Sequence, residues 1–420
     1  MTAIAYAALW IFIFSVPWEN VIVIPGLGAI SRLTGMVALA MTVLAALVTG
    51  RFRRWQAFHI AALLFVIWSG LCVVIFGVPV IPKKFWTYVQ LFLVLWMTWE
   101  LATTRKRQFG LLMAYVLGAY VSAFGTIMVF RQHASARRFA MEGFDANDLA
   151  GILALSIPMA WYLGMTYRQP IVRLLCRGYL PVGIVAIGLT GSRGGMVATI
   201  IALMIVPFTM TRLTPGRLVA ALAILMISGG LAVTFVPKTV VSRLATTSSD
   251  VEEGRLGGRL KIWVAGARAF SQRPLMGYGT SGFKSAVKPY LPTVPQVAHN
   301  SYLSVLVENG IIGFGLFAWM LVAVFRTVLR MPPLDRRFSL VLFATQCVVI
   351  LPLTWEATKP LWFVLASLVG LAQARALPER SPQPRPRPPF RPVPAGNAPP
   401  QRFPEQIGPR RWNSDRDFTA

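Results

Sequence analysis

A small set of cationic and proton-accepting side chains in this sequence sits where an anion could be held. Leu189-Thr190-Gly191-Ser192-Arg193-Gly194-Gly195 places one arginine among glycines, in a tight turn between two apolar runs. Glycine admits close backbone approach to an anion, and a guanidinium grips phosphate oxygens with two parallel bonds. The competing reading of Arg193 is a charge at a helix end that reaches back to the polar boundary, which explains the charge but not the glycines. Arg255 and Arg259, in Gly254-Arg255-Leu256-Gly257-Gly258-Arg259, are four residues apart. They share a face if helical, and two guanidiniums suit a pyrophosphate; a solvated or lipid-facing charge run is the alternative.

His299, in Ala298-His299-Asn300-Ser301-Tyr302, lies just before an apolar run. Imidazole titrates near neutrality, so it can take the proton of a hydroxyl as that hydroxyl attacks. A histidine that only hydrogen-bonds at the interface, with Asn300 capping the following helix, is the other reading. Arg131, His133, Arg137 and Arg138 form a smaller cluster ahead of Asp145-Ala146-Asn147-Asp148, where Asp145 or Asn147 reads as a helix N-cap. The sequence has no Walker loop, CxxC or HExxH pattern, and its few external carboxylates form no DxD-like pair. The expected chemistry is therefore free of metal and cofactor, with fixed cations stabilising a departing phosphate.

The elements that must position these groups are membrane helices. Hydrophobic residues make up 55% of the 420, and mean hydropathy is +0.60. Apolar runs of about 17–25 residues, each long enough for a hydrocarbon core of about 30 Å, recur along the chain. Twelve are expected, centred near 9, 41, 67, 93, 120, 157, 184, 203, 227, 314, 346 and 367. They are too long and too uniformly apolar for membrane strands, so the fold class is an all-α polytopic membrane protein. The first run, Ala3–Val16, lacks a basic leader and a small-residue cleavage pattern and reads as a retained helix.

Basic clusters alternate with the spans: 51/53/54, 105–107, 168/173/177, 212/217 and 326–337. Placing these in the cytoplasm puts both termini inside and uses an even number of spans. The opposite, periplasmic face then carries 131–144, the Gly191–Gly195 turn, the large loop 237–298 and Thr354–Lys359. The large loop holds nine Lys/Arg against three acidic residues, although sorting drives positive charge to the other side. Within it, Arg259–Phe270 reads as an amphipathic helix with Ile262, Trp263, Ala267 and Phe270 on one side, lying in the interface. Trp18, Trp86, Trp99, Trp161 and Tyr162 read as anchoring aromatics at span ends.

The domain plan is a bundle over 1–377 and a tail over 378–420, whose twelve prolines are interleaved with arginine and cannot build a core. The formal charge is +26, of which the tail, with eight Arg and four acidic residues, carries only +4. Charge dispersed over loops between spans favours anionic lipid and phosphate-bearing substrates, not nucleic acid. Cys72, Cys176 and Cys347 fall in a helix, a cytoplasmic loop and a helix, with no disulfide or metal spacing.

Four stretches resemble the O-antigen ligase/polymerase superfamily of membrane glycan transferases: 143–150, Thr190–Gly195, Arg259–Trp263 running on to Pro274–Gly279, and His299–Leu303 followed by Glu308–Gly313. In the last, His299-Asn300 is separated by nine residues from Gly310, as in that family. The resemblance implies a type C glycosyltransferase-like bundle of about twelve helices with one large periplasmic loop. It implies that Arg193 and Arg259, with Arg255, hold the diphosphate of an undecaprenyl-diphosphate glycan, and that His299 activates the acceptor hydroxyl. Attack with inversion would release undecaprenyl diphosphate. The bacterial inner membrane is the implied location, and a lipid A–core or similar lipid the implied acceptor, with Asn300, Arg137 and Arg138 as further substrate contacts. A polymerase extending repeat units would use the same residues, and a transporter of lipid-linked glycan is a third reading. The absence of repeated halves and the one-sided basic charge disfavour the transporter.

Overall fold

The computed structural model describes residues 1–50, 52–75, 81–132, 138–209, 258–291 and 297–376, with five isolated positions between 219 and 230. Arg137, Arg255, residues 237–257 and 292–296 of the large loop and the tail 378–420 lie outside the described residues, as does the centre of the span expected at 227.

Helices dominate. They run α1 Thr2–Ser15, α2 Ile30–Thr49, α3 Ala57–Ile75, α4 Lys83–Leu101, α5 Arg105–Gln132, α6 Ala146–Thr166, α7 Pro170–Thr190, α8 Arg193–Leu203 and α9 Ile205–Thr209. Within the large loop lie α10 Arg259–Gln272 and α11 Phe283–Val287, and after it come α12 Ser301–Leu329, α13 Pro333–Val349 and α14 Lys359–Ala376. A two-residue antiparallel ribbon, Val23–Ile24 with Gly28–Ala29, is the sole pairing of strands among the described residues. Six helices, α2, α3, α5, α6, α7 and α12, are long and apolar enough to cross a membrane. Eleven of the twelve expected span centres fall inside helices.

The core centres on α6, whose residues from Leu149 to Leu163 are buried without a break. A helix apolar on every face must be surrounded by others, and α6 packs against α5, α7, α8 and α13. At one end of the bundle Arg105 bridges to the buried Asp335 (3.1 Å), which also accepts from Tyr162 Oη at 2.5 Å. Tyr162, Trp161 and Trp99 are therefore buried in the helix packing and are not lipid-facing anchors. Trp86 remains half exposed, as an anchor would. Cys176 likewise departs from its expected place in a loop. Proline at the first helical position starts α7 at Pro170, so Arg173 and Arg177 lie on its first turns and Cys176 is buried among helices.

The second region to differ is α10. Its buried stripe is Ile262, Ala265, Gly266 and Ala269, spaced i, i+3, i+4 and i+7, while Ala267 is exposed. That stripe packs on α12, where Leu303 leaves no space for a side chain at Gly266 (2.9 Å to an added Cβ). The helix is thus held by protein contacts along its apolar face.

α12 is interrupted at Gly310, with φ 67° and ψ −170°. A Cβ there would lie 2.1 Å from Leu275 O, so only glycine lets the two backbones meet. The Ile311 N–H donates to Pro274 O (2.8 Å), and the Tyr278 N–H donates to Val307 O (3.0 Å). Thr280 Oγ1 donates to Ser69 O and Trp68 Nε1 to Asn309 O, both at 2.9 Å. Irregular backbone among apolar helices is tolerated where protein satisfies its polar groups, and the 274–281 turn meets that condition.

Candidate functional site

The site lies at the end of the bundle opposite the Arg105–Asp335 pair, where α6, α8, α10 and α12 all begin. Asp145 caps α6, its Oδ1 accepting the Asn147 N–H at 2.7 Å. Gly191, with φ 58°, ends α7, and Ser192 immediately starts α8 by accepting the Gly195 N–H on Oγ (3.2 Å). Arg193 is thereby the first residue of a helix, beside the N–H groups and positive dipole end that favour anions. The two glycines that follow have a packing reason: added Cβ atoms would lie 2.9 Å from Pro352 at Gly194 and 2.4 Å from Ala150 at Gly195. They bring the start of α8 against α6 and the 350–358 segment.

Arg138 ties these starts together. Its Nε donates to Thr190 O at 3.0 Å and its Nη2 to Asn147 Oδ1 at 2.8 Å, and that oxygen also accepts from Ser192 Oγ at 3.0 Å. Arg138 thus braces the site through Asn147, a residue not expected to contribute to the site from sequence. A polar residue beside a recognised cap was the signal available for it.

Arg259 opens α10 after Gly258, whose φ of 83° turns the chain into the helix. A narrow cleft is lined by Arg259 together with Asn147, Ser192, Gly194, Gly195 and Leu353. Arg259 feels both Asp145 and Arg193: burial depresses the guanidinium pKa, Asp145 opposes the shift and Arg193 adds to it. His299 is held below its ordinary value by burial first and the Arg259 charge second, with Asp145 pulling upward. Arg193, Arg259, His299 and Asp145 are therefore gathered in one electrostatic neighbourhood. Burial and the Arg259 charge both favour the neutral imidazole, the state that accepts a proton.

His299 has a φ of 46°, left-handed backbone that a non-glycine residue rarely adopts. Its N–H donates to Thr354 Oγ1 (2.9 Å). The next residues anchor it: the Ser301 N–H donates to Ile350 O (3.1 Å), Ser301 Oγ donates to Leu353 O (2.8 Å) and accepts from the Trp355 N–H (2.7 Å). Trp355 Nε1 in turn donates to Asp148 Oδ1 at 2.8 Å. Asn300 caps α12, its Oδ1 accepting the Leu303 N–H at 3.0 Å, so that oxygen is committed to the helix start.

A bundle of apolar helices whose basic and imidazole groups converge at one end defines a multi-pass membrane protein with a polar site at the helix ends. Residues 178–318, about a third of the chain, match the family model described as O-antigen ligase (Wzy_C). The matched segment contains Arg193, Arg259, His299 and Gly310, and it bears out the resemblance to the O-antigen ligase superfamily read from the motifs. Ligase- or polymerase-type glycosyl transfer at a membrane is the chemistry that this family implies. No curated protein matches the chain.

Proposed function

We propose that the protein transfers a glycan from undecaprenyl diphosphate to a hydroxyl of lipid A–core or a related acceptor, with inversion and without a metal ion. Arg193 and Arg259 hold the diphosphate, aided by the N-terminus of α8 and, from the expected position of the loop, Arg255. Arg137, by its place in the sequence, and Arg138, which braces the start of α8, are further substrate contacts in this reading. His299 takes the acceptor's proton as its oxygen attacks the anomeric carbon. The bond from that carbon to the phosphate oxygen breaks, and undecaprenyl diphosphate leaves with the electron pair, its charge met by guanidiniums already in place. Twelve spans, cytoplasmic termini and a periplasmic site in the inner membrane complete the proposal, on the strength of the loop charges.

The observation that carries this reading is that Arg259, which lines the cleft, feels the charges of Arg193 and Asp145 and itself acts on His299. Two cations next to a neutral imidazole suit a diphosphate leaving group and a hydroxyl nucleophile together. Purified protein given undecaprenyl-diphosphate glycan and lipid A–core tests it. Glycan-capped lipid A–core, formed equally with and without chelator, is expected. Abolition by chelator contradicts the metal-free step, and products made only by extending glycan on glycan assign a polymerase.

A further inference from the structure

A second cavity, open and with room of about 380 Å³, shares the 352–357 segment with the cleft that holds Arg259. Pro352 and Leu353 line the first cavity, while Thr354 and Glu356 line the second. Ala298 lines the second as well, and His299 follows it directly and donates its N–H to Thr354. The backbone of the histidine is thus tied to two residues that line the second cavity.

The chemistry of the second cavity differs from that of the first. Lys84 Nζ, from the start of α4, lies 2.8 Å from Glu308 Oε2, 2.5 Å from Glu356 Oε1 and 3.3 Å from Ser304 Oγ. Ser304 Oγ donates to Glu356 Oε1 at 2.6 Å, and the Ser281 N–H donates to Glu308 Oε2 at 3.1 Å. Two carboxylates thus face one ammonium within the cluster. Glu356 is fully buried, yet its Oε2 has no hydrogen-bond partner among the described residues. Burying a carboxylate oxygen without a donor is costly, so a ligand that brings a donor there gains binding energy. An anionic diphosphate brings none, whereas a sugar hydroxyl does.

We infer that this cavity is the acceptor subsite, in which Glu356 Oε2 receives a hydroxyl of the acceptor sugar and holds it beside His299. Its volume lies in the range of ligand pockets. Lys84 and Glu308 act as positioning residues that fix the Glu356 carboxylate, and the donor diphosphate is left to the arginine cleft. This rests on the glycosyl-transfer reading above.

The test uses full-length protein in detergent, with undecaprenyl-diphosphate glycan as donor and purified lipid A–core as acceptor. Glu356→Gln turns one acceptor oxygen into a donor group, and Ala357→Phe fills the same cavity without touching a charge. Each variant is expected to raise the KM for lipid A–core by roughly tenfold or more, the scale of one lost hydrogen bond to a charged group. Binding of the donor measured without acceptor should stay at the wild-type level. Ala357→Phe decides the matter if Glu356→Gln does not fold. An unchanged acceptor KM in the folded variants overturns the inference, as does an equal loss of donor binding. Wild-type protein that binds donor but transfers to no lipid A–core instead defeats the underlying reading, and the inference with it.

Discussion

His299 draws its reactivity from its surroundings. Burial and the Arg259 charge hold the imidazole below its ordinary value, while Asp145 pulls it upward. The general base works only when neutral, so the acid limb of the rate–pH profile follows its pKa. Removing Asp145's charge takes away a stabiliser of the imidazolium: in Asp145→Asn, which keeps the cap oxygen, the limb should move to lower pH. Removing Arg259's charge does the reverse, so the residual activity of Arg259→Gln should fall off at higher pH than wild type. Initial rates across pH, each normalised to its own maximum, check both signs. His299 and the paired arginines were legible as residues because their types and glycine-rich setting are unusual beside apolar runs. The Lys84–Glu308–Glu356 cluster was not, because its members come from the start of α4, the first half of α12 and the loop before α14. Asn300 reads from sequence both as a helix cap and as a substrate contact, and its side-chain oxygen takes the capping role on α12.

At the scale of elements, the site is a meeting of helix starts, each set by a short local signal. Asp145, Ser192 and Asn300 cap α6, α8 and α12 through their side chains, and Gly258 turns the chain into α10. Caps of this kind are readable from sequence: that of α6 narrows to Asp145 or Asn147, and Asn300 is one reading for the start of α12. The break in α12 was not readable, since Gly310 stands in an otherwise helical pattern and its reason is the distant Leu275. Gly310→Ala should therefore destabilise the protein by about 1–3 kcal/mol or more, from a strained φ and a backbone clash. A lowered midpoint of thermal unfolding in detergent is the expected outcome, and an unchanged midpoint would show that the 274–281 turn can yield. The buried face of α10 was misassigned for a related reason. Its apolar stripe was identified by hydrophobic type, while the packing selects the small residues Ala265, Gly266 and Ala269, which admit Leu303.

For the molecule as a whole, the helical, membrane-embedded character was plain from apolar runs alone, because burial in lipid demands long uninterrupted segments. Which aromatics face lipid was not, since Tyr162 and Trp161 look identical to anchors until their neighbours are known. Charge placement also yields a sidedness that can be checked. Glu142 is exposed near the site end and Arg330 is exposed at the far end of α12. Two native cysteines, Cys72 and Cys176, are buried. With the third, Cys347, replaced by alanine, a membrane-impermeant maleimide applied from the periplasmic side should label Glu142→Cys and spare Arg330→Cys. The opposite pattern would invert the proposed topology.

The central claim is that the arginine cleft binds the donor while His299 moves the proton, and separating binding from turnover tests it most directly. Donor binding and transfer are to be measured side by side for wild type, Arg193→Ala and His299→Ala in the same detergent. The account predicts that His299→Ala binds undecaprenyl-diphosphate glycan normally and transfers it about 10²–10⁴ times more slowly, whereas Arg193→Ala loses binding of the donor. Transfer at the wild-type rate by both folded variants would contradict it.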